Sequence, residues 1–316
     1  RMTDLPPEQL EKLETEILLE GIFRRWGYDF RNYASASLMR RLKHRLTLTG
    51  LNHLSDLLPR LLRDEAFFNL LLRDLSVTVT EMFRDPPVYA ALRQLVIPVL
   101  RTYPFIKIWH AGCATGEEVY SMAILMKEEG LYHRTQFYAT DYNNRSLDIA
   151  RQGVYPLENL QAYTASYLAA AGTASFSDYY HARYGSAKML ESLKQNITFA
   201  HHNLVSDGAF GEMNLILCRN VMIYFNKTLQ DRALSLFCES LCHRGYLCLG
   251  TSEAIQFSAV SDRFETVSDE HRIFRAFSHS DVPSAANADG NNPSFASIDS
   301  DTAPPATHVS KSRGTM

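Results

Sequence analysis

Residues 108–120 read IWHAGCATGEEVY, and the fold turns on this stretch. An apolar run, 105–109, stops at a loop of small residues containing Gly112 and Gly116. Glu117 and Glu118 follow at once. The pattern is that of a buried strand, a tight loop and the start of a helix, here 117–129, which Gly130 ends. Further on, 137–140 reads as a second strand closed by Asp141, and 146–152 as a helix. Residues 197–200 and 215–218 read as strands, 229–242 as a helix, 246–249 as a strand, and 264–267 with 272–277 as a closing antiparallel hairpin. Alternation of this kind predicts an α/β fold, a mostly parallel sheet with helices on both faces. Residues 156–195 interrupt it. They are rich in Tyr, Ala and Ser, with an alternating piece, 176–189, around Tyr184-Gly185, and read as an inserted subdomain with a small hairpin.

Upstream, residues 6–75 are helical in pattern. Leu10, Leu13, Ile17 and Leu18 recur at helical spacing, as do Leu54, Leu57, Leu58 and Leu61, with Gly27 and Gly50 as punctuation. The expected organisation is a helical domain over 1–75, a linker and start of the next domain over 76–104, the α/β domain over 105–278, and a disordered tail over 279–316. That tail has almost no large apolar residue. Between Ile22 and Arg63 nine Lys/Arg face two acids, in a chain whose net charge is −3. The plain reading is a solvated helix face. The sharper one is a docking surface for an acidic partner, with Arg40, Arg41, Lys43 and Arg45 at its centre.

The overall charge excludes bulk nucleic-acid affinity. Apolar runs are far shorter than a membrane span, and no apolar N-terminal signal precedes the helices, so a cytoplasmic protein without membrane insertion is expected. Cys113, Cys218, Cys238, Cys242 and Cys248 are odd in number and scattered, which fits a reducing compartment rather than a disulfide framework. A zinc site from Cys238, Cys242, His243 and Cys248 competes with core packing, and no metal is expected.

In a doubly wound sheet, ligands bind beyond the carboxyl ends of the strands. Three such ends carry polar loops here: AGCATGEE after the first strand, Asp141 after the second, and Cys218-Arg219-Asn220 after the fourth. Asp141 has two readings, a ribose diol ligand or a turn cap. The loop lacks the G-K-[ST] of a P-loop and the full G-x-G-x-x-G of a dinucleotide site. Glu117 and Glu118 would repel a pyrophosphate at a helix N-terminus. They suit a cation, and S-adenosylmethionine carries a sulfonium, an ammonium and a ribose but no phosphate. Favouring the helix dipole is the plainer role for one of them.

The segments SVTVTEMFR (76–84), WHAGCATGEEVYSMAI (109–124), ATDYNNRSLDIARQGVY (139–155), HHNL (201–204), LILCRNVMIYF (215–225) and GYLCLGTSE (245–253) occur in order. Together, over about residues 15–277, they resemble the CheR-type chemoreceptor glutamate methyltransferases. The resemblance implies a Rossmann-like S-adenosylmethionine-dependent domain with a small inserted antiparallel β subdomain and an all-helical N-terminal domain. It implies methyl transfer to glutamates on the cytoplasmic helical bundle of chemoreceptors, with S-adenosylhomocysteine as product, by a monomer. It places Thr78, Thr80, Arg84, Gly112, Glu118, Asp141, Asn203, Leu204, Arg219 and Asn220 around the cofactor, with Glu118 at the ammonium end and Asp141 on the ribose. Arg84 and Tyr224 flank the transferred methyl. The basic helices meet the acidic receptor, and the insertion in some members grips a receptor's C-terminal peptide. Thr78 stands where relatives often carry Asn, and His110 where Ser is frequent. The rival functions are a non-catalytic S-adenosylmethionine-binding scaffold and a methyltransferase for another substrate class.

Overall fold

The computed structural model describes residues 5–31, 35–76, 80–209 and 211–277. Thr78 and the expected tail over 279–316 lie outside them. Helices α1 (Pro7–Trp26), α2 (Ser35–Thr49), α3 (Leu58–Arg63) and α4 (Glu65–Leu75) come first, and α5 (Pro86–Leu95) and α6 (Ile97–Leu100) lead into the sheet. Alternation follows: β1 (Ile106–Ala111), α7 (Glu117–Glu128), β2 (Thr135–Asp141) and α8 (Asn144–Gln152). The insertion contains β3 (Val154–Pro156), α9 (Leu160–Ala169), β4 (Tyr180–Arg183) and β5 (Ser186–Met189). After the short α10 (Glu191–Lys194) come β6 (Ile197–His201), β7 (Met213–Cys218), α11 (Lys227–Ser240), β8 (Leu241–Leu249), β9 (Phe264–Ser268) and β10 (Ile273–Ala276).

Seven strands form one sheet in the order β6-β2-β1-β7-β8-β10-β9. The first five are parallel and the last two join antiparallel. Side chains alternate between the faces of this sheet. Ile106, Ile108, Phe137, Leu215 and Leu217 point into a core shared with α5, α6, α7 and the insertion. Trp109, Ala111, Ile216, Cys218 and Leu247 point into a second core shared with α1–α4 and α11. The helical segment therefore packs as one outer layer of the sheet. Cys248 belongs to the first core and Cys238 to the second, so the sheet separates two of the four side chains that a zinc site would need. Among the described residues no helix is long and apolar enough to cross a membrane.

Several expectations shift. The strand expected to start at residue 105 starts at Ile106, and Phe105 is exposed. The helix expected to reach 242 stops at Ser240, because β8 begins at Leu241 and extends further than its most apolar part. The small hairpin gains β3 as a third strand, in the order β3-β5-β4, together with α9. On α1, Leu10, Leu13 and Ile17 remain 45%, 41% and 43% exposed, while Leu18, Leu19 and Ile22 are buried. Only the half of that helix nearer Gly27 meets the core.

The basic group on α2 is divided. Arg41 Nη1 donates to the carbonyls of Leu75 (3.0 Å) and Ser76 (2.9 Å), satisfying the end of α4. Arg45 pairs with Asp74 at 2.6 Å, with both side chains largely covered. Arg40 is exposed, and Lys43 pairs with Glu11 at 2.7 Å in solvent, which contributes little to stability. Two of the four expected docking cations are thus engaged within the fold.

Candidate active site

Parallel pairing brings the carboxyl ends of β1, β2, β6 and β7 to one edge, and a cleft opens there. The loop after β1 is tied to β2 by its backbone: Gly112 and Cys113 both donate to the Thr140 carbonyl, at 2.8 and 2.9 Å. Gly112 has φ +75°, and a Cβ there would lie 2.6 Å from Val221 Cγ2. The glycine is required by packing against the turn after β7 as well as by its backbone conformation. Gly116, at φ +94°, starts α7, and a Cβ there would meet Ala150 Cβ at 2.8 Å.

Asp141 ends β2 and is 8% exposed. Its Oδ2 accepts from Ala114 N–H (2.9 Å) and its Oδ1 from Asn143 N–H (2.8 Å). It therefore caps its own turn and fixes the neighbouring loop, and it also lines the cleft. Burial raises its pKa above the ordinary value, and the backbone donors only partly oppose this. A carboxylate has about four acceptor positions, so two remain beyond the backbone bonds.

The paired glutamates part company. Glu117 is buried away from the cleft and accepts from Thr115 Oγ1 at 2.6 Å; burial pushes its pKa up to about 7. Glu118 lines the cleft. Its Oε1 meets His110 Nδ1 at 2.9 Å and its Oε2 meets Arg219 Nη1 at 3.4 Å. Burial pushes the Glu118 carboxyl up, but the His110 hydrogen bond and the charges of His110 and Arg219 outweigh it and hold it below the usual range. Arg219 is itself enclosed, donating also to Asp85 Oδ2 (2.8 Å) and the Arg84 carbonyl (3.0 Å). Its two Nη atoms are committed to these acceptors, which ties Glu118 to the segment before α5.

Arg84 lies between two residues with left-handed backbone, Phe83 at φ +55° and Asp85 at φ +56°. Such conformations are unfavourable for these side chains and persist where the surroundings fix them. Phe83 is fully buried and its N–H donates to Ser121 Oγ at 2.8 Å. Arg84 lines the cleft, and among the described residues no carboxylate pairs with it, because the adjacent Asp85 is taken by Arg219. Tyr224 lines the same cleft, its ring centroid 5.9 Å from that of Phe30.

The structure gathers Thr80, Arg84, Gly112, Glu118, Asp141, Asn203, Leu204, Arg219, Asn220 and Tyr224 around this one cleft. Sequence reasoning missed Tyr28, Phe30, Tyr142, Val221 and Phe225, which also line it. Tyr28 forms an antiparallel bridge with Phe225, so a segment between α1 and α2 closes part of the wall. Tyr142, Val221 and Phe225 directly follow Asp141, Asn220 and Tyr224 and so carried a local signal; Tyr28 and Phe30 carried none. Among the lining residues the carboxylates of Glu118 and Asp141 stand against the guanidiniums of Arg84 and Arg219, two of each. The cleft thus offers an aromatic-walled enclosure that presents two carboxylates and, among the described residues, one guanidinium without a carboxylate partner.

A family model described as "CheR methyltransferase, SAM binding domain" matches residues 78–273, and one described as "CheR methyltransferase, all-alpha domain" matches residues 14–76. A Pseudomonas putida protein described as a methyltransferase, Cher3, is 52% identical, covering 85% of this chain and 98% of that one. Chemotaxis protein methyltransferase 2 of Pseudomonas aeruginosa is 32% identical over 74% of this chain and 84% of its own. Chemotaxis protein methyltransferase 1 of Vibrio cholerae is 31% identical over 72% and 83%.

Proposed function

The chain belongs to the CheR methyltransferase family, and from that premise we propose that it methylates glutamate side chains of chemoreceptors. The single observation that carries the glutamate is Arg84: a guanidinium lining the cleft with no carboxylate partner among the described residues. The relatives named as chemotaxis methyltransferases support chemoreceptors as the substrate class.

The donor set suits S-adenosylmethionine. Anionic Glu118 and Asp141 match its ammonium and its ribose hydroxyls, and Tyr28, Tyr142 and Leu204 offer surface for the adenine. Asn203 and Asn220 supply amides beside it. Bound there, the cofactor supplies an electrophilic methyl on a cationic sulfur. The residues of this chain do the aligning. A glutamate with a pKa near 4.3 is ionised at neutral pH, so no general base is required. Arg84 can fork the incoming carboxylate, and its strained flanks fix where that fork points. Tyr224, on the same cleft, would offer its hydroxyl to the methyl or to the incoming carboxylate. Gripping both reacting charges hard would stabilise the reactants more than the transition state, so alignment and exclusion of water dominate.

Transfer of radioactive methyl to a purified receptor fragment tests this reading. The product of glutamate methylation is released by mild alkali. Alkali-stable label, or activity without receptor, would point to another substrate class, and cofactor binding without transfer to a scaffold. Arg84→Ala is expected to reduce turnover at least about tenfold, the loss of a charge-assisted hydrogen bond, while S-adenosylhomocysteine affinity measured by calorimetry stays within about threefold. Equal losses in both would make Arg84 a cofactor ligand only.

For receptor docking, the outward cations of α2 are the relevant ones. Arg40→Glu with Lys43→Glu is expected to raise the KM for receptor several-fold, with turnover at saturation retained. An unchanged KM would place docking elsewhere. Arg41 and Arg45 are unsuited to that test, because they hold the end of α4. In the insertion, β4 lies at the edge of its three-stranded sheet, the position from which a receptor's C-terminal peptide would extend it.

A further inference from the structure

Glu253 lies in the turn that leaves β8 on the cleft edge of the sheet, and it is 5% exposed. Its carboxylate accepts four backbone N–H groups. Oε2 accepts from Gly250 (2.6 Å) and Asn220 (3.0 Å), and Oε1 from Val221 (2.9 Å) and Met222 (2.7 Å). Three of those donors belong to the turn after β7. Successive N–H groups converging from a turn form an anion-seeking concavity, and a buried carboxylate needs such donors. That turn carries Arg219, Asn220, Val221 and Tyr224, all of which line the cleft.

We propose that Glu253 is a positioning residue for methyl transfer: it sets the turn from 219 to 224, so that Asn220 and Tyr224 face the reacting groups and Arg219 reaches Glu118. The inference rests on the reading of the cleft as a methyl-transfer site.

Two further contacts show how tightly the turn is held. A Cβ on Gly250 would lie 2.7 Å from Asn220 N and 2.8 Å from Glu253 Oε2, so the two turns leave no space between them. Asn220 itself sits at φ +59°, a conformation the carboxylate helps to fix. At the far end of the turn, Asp29 N–H donates to the Tyr224 carbonyl at 2.7 Å, and Asn226 N–H to the Gly27 carbonyl at 2.9 Å. Glu253 fixes where the turn begins, and the segment before α2 fixes where it ends.

Paired substitutions separate positioning from space-filling. Glutamine has the size of glutamate, but it turns an NH2 toward two N–H donors. Aspartate is shorter but keeps the anion. Turnover is expected in the order wild type, Glu253→Asp, Glu253→Gln. The Gln variant should be at least tenfold below wild type at a temperature where circular dichroism shows it folded, with the KM for receptor within twofold. A Gln variant as active as wild type, or an Asp variant worse than Gln, overturns the proposal, because a residue that only fills space gives that order.

If Glu253→Gln does not fold, Gly250→Ala carries the test. It keeps the carboxylate and displaces Asn220, and it should lose turnover at a temperature where circular dichroism shows it folded; wild-type turnover there overturns the proposal. If wild-type protein transfers no methyl to receptor, the functional reading fails by itself. S-adenosylhomocysteine affinity then tests Glu253, with the same order of variants expected and a reversed or flat order overturning it.

Discussion

Arg219→Met is expected to lose about 3–5 kcal/mol of folding stability, the range for removing one partner of a buried ion pair. It is also expected to bind S-adenosylhomocysteine at least about a hundredfold less tightly, a loss of about 3 kcal/mol. The guanidinium side chain is 2% exposed and joins Asp85, Glu118 and the Arg84 carbonyl, so its removal strands Glu118 in a covered site. Methionine keeps much of the volume, so the effect reads charge rather than a cavity. Lysine should recover only part of the loss, since one ammonium does not span both carboxylates with the geometry of a guanidinium fork.

The pH dependence supplies a sign that packing cannot mimic. In the wild type, Glu118 is held below the ordinary carboxylate value. Its contribution to stability is complete above that ordinary value and is lost only as pH falls through the lower folded one. Without Arg219, burial is opposed by His110 alone, and the carboxyl rises. The part of the Arg219→Met deficit that runs through Glu118 is then full above the variant's carboxyl titration and disappears as pH falls from there through the lower wild-type one. The deficit, followed by urea midpoints from neutral pH down through the carboxylate range, should therefore shrink as pH falls. A constant deficit would mean that Arg219 does not hold Glu118.

The parts of this site that are legible in the sequence share one property: they are local. Each central strand is a short apolar run closed by a residue that stops it, Gly112, Asp141 or Arg219, and parallel pairing then brings those closures together. Distant contributions leave no such mark. Tyr28 and Phe30 follow the punctuating Gly27 and belong to no quoted motif, yet both wall the cleft, Tyr28 through a bridge to Phe225. Helical periodicity marks Leu10, Leu13 and Ile17 as strongly as Leu18, but α1 is 20 residues long and only part of it meets the core. Charge counting treats Arg40 and Arg41 alike, although a long side chain can turn inward and satisfy a helix end, as Arg41 does. Glu253 sits in a quoted motif, and its four donors come from two turns that only the folded sheet brings together.

Asp141→Ala is expected to weaken S-adenosylhomocysteine binding by about 3 kcal/mol, a hundredfold or more, if two hydrogen bonds to a carboxylate are lost. The structure shows why this variant combines two effects. Asp141 offers acceptor positions to the cleft, and it also pins Ala114 and Asn143 through their N–H groups. Alanine removes both roles. Asparagine keeps one acceptor oxygen and the volume but turns its NH2 toward one of the two N–H donors, so Asp141→Asn should lie between wild type and alanine in affinity and below wild type in thermal stability. Acid separates the roles further. Burial raises the Asp141 pKa, so this aspartate takes up its proton at a higher pH than an ordinary one. Protonation removes acceptor capacity, and affinity should begin to fall while unperturbed aspartates are still ionised. The same raised pKa means that the group's contribution to folding is full below its unfolded value and is lost as pH rises through the folded one. Acidification through that window should thus weaken ligand binding while this residue favours the fold. Calorimetry on wild type and Asp141→Asn across a pH series checks it: the acid loss of affinity should be present in the first and absent in the second. An identical slope in both would assign the titration to another group and leave Asp141 only its backbone-pinning role.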